Sequence, residues 1–241
     1  MGGECIAWGR GVWKSFGSTI VFADAEFCFR RGMNVLWAPN GSGKSTLIKL
    51  LLGILKPDRG VVWIDRRLKL GVLLEDNVAL RSTPLLDLVS YGVLVKGGGS
   101  LRVGEVVDLV GLRGELGKSV GELSAGNSKK ALIAQALAGN PELLVLDEPL
   151  LNLDPASRIA ISSVLNDLRG KGVSMIIATH ILSVLNPDYT YTIANNKILG
   201  PHVLRRARRV RAINPKTGLE EEMDVNDAIK AYHEGWVVLD A

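Results

Sequence analysis

Ala38-Pro39-Asn40-Gly41-Ser42-Gly43-Lys44-Ser45-Thr46 lies between an apolar run, Met33 to Trp37, and an apolar stretch of helical length, Thr46 to Leu55. Strand, glycine-rich turn, Lys-Ser and helix in that order is the context a phosphate-binding loop requires. Glycines let successive backbone N–H groups face phosphate oxygens, because no Cβ stands in the way. The helix N-terminus adds its partial positive charge. Lys44 supplies a full charge to the outer phosphates, and the Ser45 hydroxyl suits Mg²⁺. The pattern usually opens on Gly. Here Ala38 holds that place, where a methyl group fits if the local φ is negative.

Two acids complement the loop. Leu143-Leu144-Val145-Leu146 is an apolar run ending in Asp147 and Glu148. A parallel strand covered on both faces can present acids only at its carboxyl end, where ligands bind in α/β sheets. Asp147 is expected to hold Mg²⁺ through water, and Glu148 to polarise an attacking water. The chain has three histidines: His180, His202 and His233. His180 follows the apolar run Ile176-Ile177-Ala178-Thr179, so it too falls at a strand end. No role is assigned to His202 or His233.

These residues need a scaffold. Residues 6–37 read as β structure, from the run Ile20 to Phe22 and the alternation of Ala25, Phe27 and Phe29 with Glu26 and Cys28. Val61 to Ile64 and Leu70 to Leu74 read as short strands. Residues 76–140 carry apolar positions at helical spacing, with glycine turn signals, and read as a mostly helical insertion. A helical pattern, Ala156 to Leu168, lies between the buried-type strands Leu143 to Leu146 and Val173 to Ala178. Strand–helix–strand implies a parallel sheet covered on both faces, hence an α/β fold.

The 241 residues are 47% apolar and 22% charged, enough apolar content for a sizeable core and too much for a disordered chain. No apolar run approaches the roughly 18 residues that span a bilayer, and no signal segment is visible at the N-terminus. Cys5 and Cys28 are expected to be two small buried hydrophobes of a reducing cytosol, since two cysteines make no disulfide framework. Net charge is +4. Residues 201–241 are neutral but blocked: Arg205, Arg206, Arg208, Arg209 and Arg211 precede Glu220, Glu221, Glu222 and Asp224. A strand pair or helix with internal ion pairing is favoured over a phosphate-rich partner.

Together these features resemble the ATP-binding-cassette (ABC) ATPases. Leu123-Ser124-Ala125-Gly126-Asn127 resembles that family's signature Leu-Ser-Gly-Gly-Gln and is expected to open a helix from Ser128 through Leu137. Leu151-Asn152-Leu153-Asp154 resembles the D-loop, and His180 the switch histidine. Phe16 matches the aromatic that stacks on adenine, although Trp13 is a rival and either could be core. Asp154 reads equally as a helix N-cap before Pro155. Ala125 and Asn127 depart from the signature, and Lys130 stands where Arg is usual. Glu75 holds the place of the Q-loop glutamine, where a carboxylate can bind Mg²⁺; the alternative is a surface acid beside Asp76.

The resemblance covers about residues 6–200 and implies a P-loop NTPase core with a parallel sheet, an N-terminal antiparallel β subdomain and a helical insertion. It implies an ABC ATPase domain over 1–200, with the helical subdomain at about 76–140, followed by a small accessory segment at 201–241. ATP and Mg²⁺ are the implied cofactors. Glu148 and His180 would be catalytic. Phe16, Ala38 to Thr46, Ser124, Ala125, Gly126 and Asp154 would bind nucleotide, and Ser45, Glu75 and Asp147 would serve the metal. The implied partners are a second ABC subunit, identical or not, paired head to tail, and a separate membrane-spanning transporter subunit. The chain would then be cytoplasmic, at the membrane face. The rival function is a non-transport cassette ATPase in a soluble or nucleic-acid-associated assembly. A single cassette without a long heptad insertion speaks for transport, and nucleic acid is not the expected partner.

Overall fold

The computed structural model describes residues 5–74, 81–95, 103–202, 209–214, 219–224 and 236–238, with the single residues 217, 227, 231 and 234. Its centre is a six-stranded sheet ordered β5 (Leu70–Leu73), β6 (Leu143–Asp147), β7 (Ser174–Thr179), β3 (Met33–Trp37), β8 (Tyr189–Ala194) and β9 (Lys197–His202). Neighbours from β5 to β8 are parallel, and β9 closes the edge antiparallel to β8. Every residue of β6 and β7 is buried. Their side chains alternate between two cores, as a strand's period of two requires. Leu144, Leu146, Met175 and Ile177 enter one core, and Leu143, Val145, Ile176 and Ala178 the other.

The first core is roofed by α2 (Leu85–Val95), α3 (Val103–Leu109), α4 (Ala125–Leu137) and α5 (Pro155–Gly170). Helix α4 lies so close to β5 that a Cβ on Gly71 would stand 2.2 Å from the Ala136 carbonyl oxygen. The signature helix begins at Ala125, three residues before the expected Ser128, because Ser124 caps it: its Oγ accepts the Asn127 N–H at 3.2 Å. Asp154 likewise caps α5, accepting the Ser157 N–H at 2.9 Å, with Pro155 in the first turn.

The second core lies between the central sheet, α1 (Lys44–Leu51) and an antiparallel sheet ordered β2 (Thr19–Arg30), β1 (Cys5–Phe16) and β4 (Arg59–Ile64). Tyr191 of β8 joins the two sheets. Its ring is fully buried, meets Phe29 edge-on at 4.7 Å, and its hydroxyl donates to the Cys28 carbonyl at 2.5 Å. Burial pushes its phenol pKa well up, so it stays a donor.

The expectation of two free cysteines is corrected: Cys5 and Cys28 form a disulfide, with Cα atoms 5.5 Å apart. The β1–β2 register pairs Cys5 with Arg30 and Trp8 with Cys28, with an irregularity after Cys5 that draws the two together. That proximity comes from strand register, which counting cysteines does not reveal.

In the tail, β10 (Arg209–Ile213) pairs antiparallel with β11 (Glu220–Asp224), setting Arg209 opposite Asp224 and Arg211 opposite Glu222. A short β12 (Val237–Val238) completes this third sheet. Met223 and Trp236 pack against the first core. Glu75 lies outside the described residues. Among the described residues no helix is long and apolar enough to cross a membrane.

Tyr191→Phe, which loses one hydrogen bond between the sheets, is expected to cost about 1 kcal/mol in urea unfolding. Tyr191→Ala, which also empties the ring's place, is expected to cost about 3–5 kcal/mol. Equal losses in the two variants would show that the ring's packing adds nothing.

Candidate functional site

The loop between β3 and α1 closes around its own lysine. Lys44 Nζ donates to the carbonyl oxygens of Ala38 at 2.9 Å and Pro39 at 3.0 Å, and to Asn40 Oδ1 at 3.4 Å. It also pairs with Glu148 Oε1 at 3.1 Å, with both side chains almost fully buried. Gly43 caps α1 at φ 106°, and a Cβ there would sit 2.6 Å from Val21 Cγ1. A side chain at that position would therefore be strained in the backbone and blocked in space. Ala38 is buried and is not among the positive-φ residues, so its methyl group is accommodated.

Glu148 follows β6, where the sheet ends and the chain turns. Its φ is 48°, a left-handed value uncommon for a residue with a long side chain. Its amide donates to the Ala178 carbonyl at 2.8 Å, fixing the turn against β7. Oε2 accepts from Thr179 Oγ1 at 3.0 Å and from the His180 N–H at 3.4 Å, and meets His180 Nδ1 at 3.0 Å. Burial pushes the Glu148 carboxyl up, but its contacts with His180, Lys44 and Thr179 outweigh it and hold the pKa below the usual carboxylate value. The group is thus an ionised carboxylate at neutral pH.

Val21, Asn40, Gly41, Gly43, Lys44, Ser45, Thr46 and Glu148 line a cavity of about 370 Å³. Ser42 Oγ in the same loop is buried with no hydrogen-bond partner among the described residues. An orphaned hydroxyl, a buried ammonium and a helix N-terminus fit a phosphate group. Oxygen donors nearby fit a Mg²⁺ that accompanies it. Ser45 is on the cavity wall, and Asp147, nearly fully buried, ends β6, two strands from β3. Among the described residues no cluster of three or more His, Cys, Asp or Glu could hold a metal alone. Mg²⁺ suits that sparse donor set, because it takes one or two protein oxygens and completes its shell with phosphate and water.

The other expected residues lie apart. Ser124, Ala125 and Gly126 do not line the phosphate cavity. Ala125 lines a second cavity of about 430 Å³ with Leu123, Ser128, Leu151 and Asn152. A Cβ on Gly126 would meet the Asn152 carbonyl oxygen at 3.3 Å, so the signature is seated on the D-loop segment. The Ser157 hydroxyl and amide hold the Asp154 carboxyl below its usual pKa. Phe16 sits at the tip of the β1–β2 hairpin opposite Thr19, half exposed, with Lys14 Nζ 5.3 Å from its ring centroid. Its rival Trp13 has Arg59 at 6.0 Å. Thr179 and Val21 were not legible as site residues. Thr179 could have been suspected from its place before His180, whereas nothing in the sequence points to Val21.

A family model described as ABC transporter matches residues 22–151. A probable anion import ATP-binding protein of Haloferax volcanii is 32% identical over 203 residues, covering 71% of this chain and 70% of that protein. A probable ribonucleotide transport ATP-binding protein of Mycobacterium leprae is 30% identical, covering 89% and 72%. A dimeric bacterial ABC transporter cassette has the same fold, with a TM-score of 0.73 at 21% identity over 83% of this chain and 99% of that one.

Gly43→Ala is expected to weaken binding of a nucleoside triphosphate at least about tenfold, a cost near 1.4 kcal/mol, while the far-ultraviolet spectrum is unchanged. Wild-type affinity in this variant, measured by titration calorimetry, would place the phosphates elsewhere.

Proposed function

The chain belongs to the ABC transporter family, in which it is an ATP-binding subunit with ATPase activity, and from that membership we propose how its own residues carry the reaction. The carrying observation is the contact of one buried carboxylate, Glu148, with Lys44 on one oxygen and with Thr179 and His180 on the other. Lys44 donates to loop carbonyls and pairs with Glu148. Incoming β- and γ-phosphates replace those partners, and Lys44 turns its charge to them. Glu148 Oε1 is then released toward the γ-phosphate and accepts a proton from water as the water oxygen bonds to γ-phosphorus. The bond from phosphorus to the leaving ADP oxygen breaks in the same step. Backbone N–H groups of Asn40 to Ser45 hold the phosphates, and His180 steadies Glu148 and reaches the γ-phosphate. Most of the rate gain is electrostatic positioning. Mg²⁺, held by Ser45 and Asp147, supplies Lewis-acid neutralisation of the phosphate oxygens when bound.

Ser124, Ala125 and Gly126 are assigned to a nucleotide on a second cassette, identical or not, paired head to tail. Their separation from this chain's own phosphate cavity supports that reading. Asp154 caps α5 and faces the same partner, and Phe16 stacks on adenine at the hairpin tip. Residues 1–200 act as the ATPase domain, with the helical subdomain at about 76–140, and residues 201–241 stand outside the chemistry. Transport through a separate membrane subunit fits relatives named for anion import and ribonucleotide transport. It is favoured over a nucleic-acid assembly, and it would hold the chain at the cytoplasmic face of the membrane. Glu75 takes the place of the Q-loop glutamine beside the metal.

Glu148→Gln keeps the side chain's shape and removes the proton acceptor. It should bind ATP with at least wild-type affinity, lose hydrolysis by about 100-fold or more, and run as an ATP-bound dimer in size-exclusion chromatography. Wild-type turnover would overturn the assignment. Chelating the metal should abolish hydrolysis in the wild type. Glu75→Gln should tighten metal-free ATP binding, since it removes a charge beside the phosphates, and should change the Mg²⁺ dependence of turnover. Identical metal dependence in wild type and variant would put Glu75 outside the site.

A further inference from the structure

Trp37 ends β3, in the middle of the sheet, and directly precedes the phosphate loop. Its side chain is about half exposed, unusual for a tryptophan on a strand whose other residues are buried. Its indole is nonetheless directed: Nε1–H donates to the His180 carbonyl oxygen at 3.2 Å. In the strand register Trp37 stands beside Thr179, and the Ala38 amide donates to the Thr179 carbonyl at 3.4 Å. His180 is therefore the first residue past the end of β7, where the ladder no longer fixes the backbone.

The His180 segment is instead held by side chains. On its amino side, Glu148 Oε2 accepts its N–H at 3.4 Å. On its carbonyl side two bonds share the His180–Ile181 peptide: Thr179 Oγ1 accepts the Ile181 N–H at 3.0 Å, and Trp37 binds the His180 carbonyl oxygen. The two peptide planes that flank the His180 Cα set the direction of its Cα–Cβ bond, and so the position of the imidazole. With the indole bond gone, the Thr179 bond alone holds the His180–Ile181 peptide, which can then tilt about it and carry Nδ1 off its 3.0 Å contact with Glu148.

We infer that Trp37 is a positioning residue for hydrolysis: its indole N–H orients the His180 backbone so that the imidazole holds Glu148 in place. It is not a catalytic residue, and it does not line the phosphate cavity. This rests on the roles proposed above for Glu148 and His180. The indole acts at the reacting end of the nucleotide and leaves phosphate binding alone, so its removal lowers kcat without raising KM.

The test is a double-mutant cycle on the whole chain, measuring Mg²⁺–ATP hydrolysis in wild type, Trp37→Phe, His180→Ala and the double variant. Trp37→Phe keeps a ring of similar bulk and loses only the donor and part of the indole. It is expected to lower kcat roughly fivefold with KM for ATP unchanged, the scale of one lost hydrogen bond. In the His180→Ala background the same substitution should change kcat by less than about twofold, because the imidazole it positions is gone. Benzothienylalanine at position 37, which exchanges the N–H for sulfur and keeps the shape, should reproduce the loss if Trp37→Phe disturbs folding.

Wild-type kcat for the benzothienylalanine protein overturns the inference, as do losses that multiply in the double variant. A kcat loss matched by an equal rise in KM also overturns it, since that would mean Trp37 binds nucleotide. Wild-type turnover of His180→Ala would remove the role proposed for His180 and this inference with it. Impaired His180→Ala beside an unimpaired Trp37→Phe would remove this inference alone.

Discussion

The buried pair of Lys44 and Glu148 is the constraint to which the site is built. Two opposite charges, each almost fully buried, are costly unless every oxygen and proton finds a partner. Three acceptors from the loop meet the lysine, and Thr179 and His180 meet the carboxylate. Such a pair adds little to stability but strongly restricts geometry. The two partners come from different units, α1 and the turn after β6, so the pair forms only if β3, β6 and β7 lie side by side in register. The fully buried strands provide that. Their side chains are committed to two apolar cores, and polar chemistry is left to their carboxyl ends.

On the roles proposed for Lys44 and Glu148, nucleotide binding would be an exchange of partners within the site, since the lysine's donors are engaged on its own loop. The exchange would be favourable because a phosphate brings more negative charge than the carbonyls and the carboxylate it displaces. It would also tie the arrival of substrate to the freeing of the base. The signature segment is built differently. Capped by Ser124 and seated on Asn152, it lies away from the cavity that Lys44 and Glu148 line.

Legibility in the sequence followed the physics of each element. Strands β3, β5, β6 and β7 are readable as apolar runs, and the glycine-rich loop because glycine has few substitutes at positions such as Gly43; β8 and β9 are not, since threonines interrupt the one and the other is mostly exposed. The start of α4 was misplaced by three residues, since a Ser cap and the helix it opens share polar residues that carry no apolar period. The Cys5–Cys28 bond was misread because it depends on an irregular register between β1 and β2. Contacts made through one atom at a strand end, such as Thr179 Oγ1 on Glu148 and Trp37 Nε1 on the His180 carbonyl, leave no pattern in composition or spacing.

The left-handed backbone of Glu148 has an evolutionary consequence. A residue at φ 48° carries local strain that Gly, Asn or Asp would relieve. Gly and Asn discard the carboxylate, and Asp, one methylene shorter, would draw it back from Lys44 and His180. With Glu148 as the proposed base, every substitution that makes this turn more comfortable would make the protein a poorer catalyst. A lineage drifting toward thermal robustness, or a laboratory selection for expression alone, would then find stabilising changes at this codon only by abandoning turnover. Position 148 would therefore be one where selection for persistence and selection for work pull in opposite directions.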